Sequence, residues 1–550
     1  MISGLLQATF LVLLLALAHV PLGNLLYSTA TGPRHLRVER AMYKLIGVNP
    51  DQEQSWRHYL FGVLGFSLAS LLVLFALLRL QHLLPLSLGF GSVPADGAFN
   101  TAISFVTNTN WQWYSGESTL GYTAQMLGLA VQNFVSGAVG ISVCFALVRG
   151  FARSGTERLG NFFVDLVRVN LRVLLPLAIV VALGFVLGGA VQNFTEPHTL
   201  TTLAGGQQTM VGGPVASQEA IKQLGTNGGG FFNANASHPF ENPNPLTNIL
   251  SIWGMLVIPF SLPWTFGRMV GDRRQGASIV GVMTVLWLAS VALITWAEGA
   301  GRGSATALAG AAMEGKELRF GTWGSALYAA SSTGTSTGAV NSMHDSFTAA
   351  GGGMAMLNMM LGEISPGGVG SGLYTMLLMA TLTVFLTGLM VGRTPEYLGK
   401  KIGRYEITMV AFAILAMPFA LLVGAAIAIS TPSGLDSLTN SGAHGLSEML
   451  YGFTSAANTN GSAFAGLSAN TPLLNISLGL AMLIGRFLPI LFVLGLAGSL
   501  AAQQRVEASS ATLPTHTPLF SGLLVAVIGI VAGLTFFPAL ALGPIAEALQ

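Results

Sequence analysis

Ten apolar runs, each long enough to cross a lipid bilayer, are spaced along this chain near residues 2–26, 59–80, 126–150, 171–191, 248–270, 278–298, 370–392, 407–430, 474–501 and 518–546. About 20 helical residues span the hydrocarbon core of a bilayer. Such segments must satisfy their own backbone groups and present hydrocarbon to lipid. The expected fold is therefore an all-α polytopic membrane protein with ten transmembrane helices. Charge supports this: only 8% of the 550 residues are charged and 52% are hydrophobic, against about 25% charged in soluble domains. The net charge of +2 forms no basic stripe, so no nucleic-acid partner is expected. Cys144 is the single cysteine. It excludes an intrachain disulfide and a multi-cysteine metal site, and reads as a small core residue.

Lys and Arg orient the runs. One set of connections holds Arg34, Arg37, Arg40, Lys44 and Arg57, then Arg149, Arg153, Arg158, Arg168 and Arg172. The same set continues with Arg268, Arg273, Arg274, Arg393, Lys400, Lys401, Arg404 and Arg505. The alternate connections hold only Arg79, Lys222, Arg302, Lys316 and Arg319. The first set is predicted inside and both termini outside. The first run lacks a preceding Lys or Arg and is long enough to span, so it reads as a retained helix rather than a cleaved signal. No inner connection is long enough for a nucleotide-binding domain.

The outer connections carry a repeated phrase: Thr107-Asn108-Thr109-Asn110, Gly225-Thr226-Asn227-Gly228, Thr335-Ser336-Thr337-Gly338 and Asn458-Thr459-Asn460-Gly461. Successive phrases lie about 110 to 125 residues apart. A short, weakly apolar segment precedes each (98–106, 218–224, 323–332 and 446–456) and a span follows. Four pseudo-symmetric membrane-pore-membrane repeats follow from this pattern, with one extra helix at each end. Their expected bounds are 58–150, 170–270, 278–392 and 407–502, flanked by terminal helices at 1–27 and 517–547.

A cation crossing a bilayer must exchange its water shell for protein oxygens, and inward carbonyls of non-helical loops can supply them. Four loops about one axis would give rings of such oxygens. Glycines at Gly228, Gly338 and Gly461, with Gly229, Gly230 and Gly334 beside them, permit unusual dihedrals. The phrases contain no carboxylate, which suits a monovalent ion better than Ca²⁺ or Mg²⁺.

The stretches SFVTNTNWQWYSGE (104–117), QLGTNGGGFFNANASHPFENPNPLTN (223–248), SSTGTSTGAVNSMHDSFTAAGGGMAMLNMMLGEISPGGVGSGLY (331–374) and TSAANTNGSAFAGL (454–467) closely resemble the potassium-binding, channel-like subunit of the Kdp-type potassium-transporting ATPases. The resemblance runs end to end. It implies that K⁺ is the ion. It also implies that Asn110, Gly228, Gly338 and Gly461 are ion-site residues and that Gln112 supports the filter. The implied activity is uptake of K⁺ from outside and transfer through an intramembrane tunnel to a partner P-type ATPase subunit, alongside small accessory membrane subunits in the inner or plasma membrane. The residues agree on one point. The chain has no phosphate-loop motif and no Asp-Lys-Thr-Gly phrase, so a partner would hydrolyse the ATP.

Arg486 sits within the ninth run, where a charge is costly and faces a cavity or partner. It reads as a positive plug below the filter, or else as a structural pair with a carboxylate or helix-end carbonyls. The Gly-rich stretch 349–374 predicts a broken helix around a mobile gating loop, with Gly367 and Gly368 at the gate. Glu363 is a candidate for the ion's exit path or a pin for that loop. His344-Asp345 and the pair His238 and Glu241 read as hydrogen-bonding groups rather than metal ligands. Trp111 and Trp113 are expected to brace the first loop or sit at the interface. A passive transporter on the same four repeats is the rival reading. A membrane enzyme would need a catalytic set that the chain does not offer.

Overall fold

The computed structural model describes residues 2–299, 312–506 and 512–549. Arg302, counted above among the outer charges, lies outside the described residues. Helix α1 (Ile2–Thr31) precedes the repeats. Repeat one comprises α2 (Trp56–Arg79), the short α3 (Ala95–Val106) and α4 (Ala124–Ala152). Repeat two comprises α5 (Phe162–Leu187), the short α6 (Val215–Leu224) and α7 (Pro245–Val270). Repeat three comprises α8 (Arg273–Gly299), the short α9 (Gly321–Gly334), then α10 (Ala349–Met360) and α11 (Ser371–Met390). Repeat four comprises α12 (Arg404–Ile429), the short α13 (Gly442–Ala457) and α14 (Pro472–Ala502). The last helix is α15 (Pro518–Leu549). Among the described residues, ten helices are long and apolar enough to cross a membrane.

The most buried crossing helices, α4 and α7, are among the less apolar ones, while α1, α2 and α15 are more apolar and largely exposed. That ordering is the reverse of a water-soluble bundle and fits a molecule solvated by lipid. The predicted break in repeat three is present: the chain leaves helix after Met360 and re-enters it at Ser371.

One expectation is corrected by buried charge. The fourth crossing helix starts at Phe162, earlier than the predicted 171, with the Asn161 side chain accepting from the Phe163 and Val164 amides. The sequence pattern stopped at Asp165 and Arg168. However, Asp165 is buried in a two-pronged pair with Arg149 at 2.5 and 2.8 Å, and a charge neutralised and hydrogen-bonded in this way can stay in the helix. Lys222 and Lys316 lie in outer connections as expected, but both are buried. Lys316 Nζ lies 2.8 Å from Glu298 Oε2, both side chains fully enclosed, and Lys222 is buried within α6.

Two short antiparallel hairpins complete the fold. His198–Thr201 pairs with Gln207–Met210, His198 opposite Met210. Glu396–Tyr397 pairs with Lys400–Lys401, Tyr397 opposite Lys400. Lys400 Nζ donates to the Arg153 and Gln503 carbonyls at 2.6 and 2.9 Å. These residues cap the C-terminal ends of α4 and α14, where a cation is favoured. Burial, with Arg505 nearby, pulls the Lys400 ammonium down to about 8.

Candidate functional site

Each short helix ends in the same way. The first residue of each phrase caps the helix: Thr107, Gly225, Thr335 and Asn458. The second is left-handed in all four: Asn108, Thr226, Ser336 and Thr459 have φ of 67, 45, 48 and 51°. The third donates its amide to the carbonyl five residues back: Thr109 to Ser104, Asn227 to Lys222, Thr337 to Ser332 and Asn460 to Ser455, at 2.8 to 3.0 Å. This is the Schellman closure of a helix, whose left-handed position normally takes glycine. Here two β-branched threonines occupy it, at a strain of roughly 1–3 kcal/mol each. The fourth residue is left-handed again: Asn110, Gly228, Gly338 and Gly461 at 55, 90, 81 and 102°. Left-handed residues thus alternate with the others along all four loops, and four helix C-termini, each carrying partial negative charge, abut them.

The loops close into one ring. A Cβ built on Gly228 would lie 2.0 Å from the Thr337 carbonyl oxygen. One on Gly338 would lie 1.9 Å from Asn460 O, and one on Gly461 2.0 Å from Thr109 O. Each glycine therefore meets the third-column carbonyl of the next repeat. Repeats one and two are joined differently: Asn108 Nδ2 donates to Thr226 O at 2.9 Å and Asn110 Nδ2 to Gly228 O at 3.1 Å. Asn110 also donates to Asn133 Oδ1 of α4 at 2.7 Å. The cyclic order is one, two, three, four. Within repeats one and three, paired hydroxyls stiffen the loop: Thr107 to Thr109 at 2.7 Å and Thr335 to Thr337 at 2.6 Å.

The predicted support residues lie beside the ring. Gln112 makes a two-pronged bond with Gly230, accepting from its amide at 2.9 Å and donating to its carbonyl at 3.1 Å. A Cβ on Gly229 would meet the Asn110 carbonyl at 2.8 Å. Trp111 is buried and Trp113 Nε1 donates to Gly97 O at 2.9 Å, so both brace the loop. His344 Nδ1 and Tyr451 Oη share a 2.8 Å hydrogen bond. Burial, with Lys316 nearby, pulls the His344 imidazole down to about 4. Glu241 accepts from the Phe232 amide at 2.9 Å. Asp345 lies 2.9 Å from His444 Nε2, and Glu547 2.8 Å from His444 Nδ1. Over one end of the ring opens a cavity of about 550 Å³, lined by Asn110, Gly229, Gly338 and Gly461 with Gln112 and His344.

The other end is crossed by residues 361–370. Glu363 Oε1 accepts from Thr459 Oγ1 at 2.8 Å, and Val369 N donates to Thr226 Oγ1 at 3.0 Å. Those two threonines belong to repeats four and two, diagonal in the ring. Gly367 N donates to Gly334 O at 2.8 Å. A Cβ on Gly367 would lie 1.9 Å from Glu363 O, and one on Gly368 3.2 Å from Glu363 Oε2 and 3.3 Å from Thr335 O. No side chain fits at Gly367, and at Gly368 the Ser371 hydroxyl, 2.5 Å away, would have to move. Arg486 is buried on α14 and donates to the Ser136 carbonyl at 3.3 Å. Ser136 Oγ in turn donates to Asn108 Oδ1 at 2.7 Å. Among the described residues no carboxylate lies within ion-pair distance of Arg486, whose charge nevertheless acts on the Glu363 carboxylate. Beside Glu363, a smaller cavity of about 90 Å³ extends past Tyr374, Asn458 and Gly485 to Ile528 and Phe536.

Two features were missed in the sequence. The left-handed second column gives no signal, because Asn, Thr and Ser stand where glycine is the cue. Nor does residue type reveal that Lys222, in the expected short segment 218–224, stands five residues before Asn227, as Ser104, Ser332 and Ser455 stand before their own third-column residues.

The chain matches the family described as KdpA, potassium-transporting ATPase A subunit, over residues 9–549. A protein of Kineococcus radiotolerans named potassium-transporting ATPase potassium-binding subunit is 60% identical over 547 residues, covering 100% of this chain and 98% of that one. A protein of the same name from Streptomyces coelicolor is 60% identical over 548 residues, covering 100% and 99%. The crystal structure of the potassium transporter TrkH from Vibrio parahaemolyticus is similar with a TM-score of 0.53 at 16% identity, covering 89% of this chain and 96% of that one. At that identity the likeness concerns the fold.

Proposed function

The chain belongs to the potassium-transporting ATPase A subunit family, and from that premise we propose that it captures K⁺ from outside in a four-loop filter and delivers it sideways to a partner P-type ATPase subunit. The observation that carries the reading is the ring itself. Left-handed residues alternate in register in all four loops, and Gly228, Gly338 and Gly461 each pack against a neighbouring loop's carbonyl. Alternation of this kind turns successive carbonyls toward a common axis, where they replace an ion's water shell.

In this reading the 550 Å³ cavity is the outer vestibule. Thr107 to Asn110 and their counterparts in the other loops form the filter, and Gln112, Gly229 and Gly230 hold its rim. Residues 361–370, through Gly367 and Gly368, and the Arg486 guanidinium stop the ion from passing straight through. Glu363 lines both this barrier and the side cavity, so it marks the turn toward the tunnel. The arginine-rich face is cytoplasmic, both termini are outside, and the complex sits in the inner or plasma membrane with small accessory membrane subunits.

ATP hydrolysis by the complex that co-purifies with this chain, measured with K⁺ and with Na⁺, tests the reading. Stimulation by K⁺ and not Na⁺ is expected. If no ATPase co-purifies and the chain alone carries K⁺ across liposomes, the passive transporter replaces it.

A further inference from the structure

The fourfold pattern breaks at one place that the filter reading leaves unexplained. Three short helices carry a serine at the residue whose carbonyl closes the Schellman turn. Ser104 Oγ donates to Trp111 O at 2.9 Å and Ser332 Oγ to Ala339 O at 2.5 Å. Both acceptors directly follow the fourth column. Ser455 Oγ instead accepts from the Gly461 amide at 2.9 Å. In repeat two the position is Lys222, and the residue after the fourth column is Gly229.

Lys222 reaches the equivalent carbonyl in two steps. Its ammonium donates to Asn235 Oδ1 at 3.0 Å, and the Asn235 amide donates to Gly229 O. Lys222 and its two carboxylate partners, Glu219 and Glu241, are each 1% exposed, with Glu241 Oε2 at 2.9 Å. Glu241 Oε1 holds the Phe232 amide. The need for a longer brace follows from the local sequence. Gly228, Gly229 and Gly230 are consecutive, and the first two are left-handed. This run has no side chains of its own to fix its path.

We propose that Lys222, acting through Asn235, is a positioning residue that sets the filter's discrimination between K⁺ and its larger congener Rb⁺. The inference rests on the filter reading above. Discrimination by carbonyl rings depends on how firmly each oxygen is held. Repeat two alone lacks the serine that ties the other three loops, so its brace through Lys222 and Asn235 sets how its carbonyl is held.

The test compares half-saturating K⁺ and Rb⁺ for stimulated ATP hydrolysis by the intact complex. Asn235→Asp keeps the acceptor for Lys222 and tolerates the left-handed backbone (φ 54°), but removes the donor to Gly229. The Rb⁺/K⁺ ratio is expected to move toward unity by about threefold or more. Asn235→Ser, too short to bridge, should do the same, and either variant that assembles decides the matter. Lys222→Arg, which keeps charge and donors, should hold the ratio. An unchanged ratio with a lowered melting temperature overturns the proposal and leaves a structural brace. Gly228→Ala is run in parallel. If it weakens K⁺ affinity while Asn235→Asp leaves the ratio unchanged, the filter stands and only this inference falls. If neither variant has an effect, the filter reading itself fails.

Discussion

The Thr459 hydroxyl donates to the Glu363 carboxylate at 2.8 Å, joining the fourth loop of the ring to the segment that crosses beneath it. Glu363 is itself left-handed at φ 58° and also lines the side cavity. In the proposed function, one side chain thus touches the filter, the barrier and the exit. Glu363→Gln keeps the acceptor and removes the charge. We expect K⁺-stimulated ATP hydrolysis to fall about tenfold while half-saturating K⁺ moves less than about twofold, as for a group acting after capture. A shift confined to half-saturating K⁺ would return Glu363 to the filter.

In the proposed function Arg486 is the positive element of the barrier. Arg486→Ala should open an ATP-independent K⁺ flux in proteoliposomes holding the intact complex. Passive flux equal to that of the unaltered complex would leave the barrier to residues 361–370 alone.

At Gly228 and Gly461 an added methyl meets backbone oxygen at 2.0 Å, on a backbone that already disfavours side chains. Gly228→Ala and Gly461→Ala should weaken apparent K⁺ affinity about tenfold or more, equivalent to ~1.4 kcal/mol. The melting temperature should change much less than in core variants. Unaltered affinity in both would remove these positions from the ion's path.

His444, stacked on Phe464, gives a pH test. The Glu547 carboxylate, with Asp345, holds its imidazolium up to about 9 against partial burial. The folded value lies above the unfolded one of ~6.5, so the stabilisation is complete below about pH 6.5 and is lost as pH rises through about 9. His444→Gln should lower the melting temperature at acidic pH and converge with the parent above about pH 9. Equal differences at both ends would show that the imidazole acts by packing alone.

The sequence carried the repeats because lipid imposes long apolar runs and the four phrases recur in register. It also carried the break in repeat three, through its glycines. The ring's closure was not legible, since it depends on which carbonyl each glycine meets across a gap of more than 100 residues. The charged residues misled in one direction. Asp165, Lys222 and Lys316 look like exposed residues by type, and only their buried partners, Arg149, Glu219, Glu241 and Glu298, reveal otherwise.

Because the ring is closed by one polypeptide rather than four copies, a substitution is dosed at a single quarter of the circumference. In a homotetramer, an aspartate in place of one filter glycine would introduce four charges. Here it would introduce one, and the other three quarters would still offer their oxygens. Graded tuning of one side is therefore open to this architecture, and Asn110 among three glycines is such a one-sided change, built into the chain.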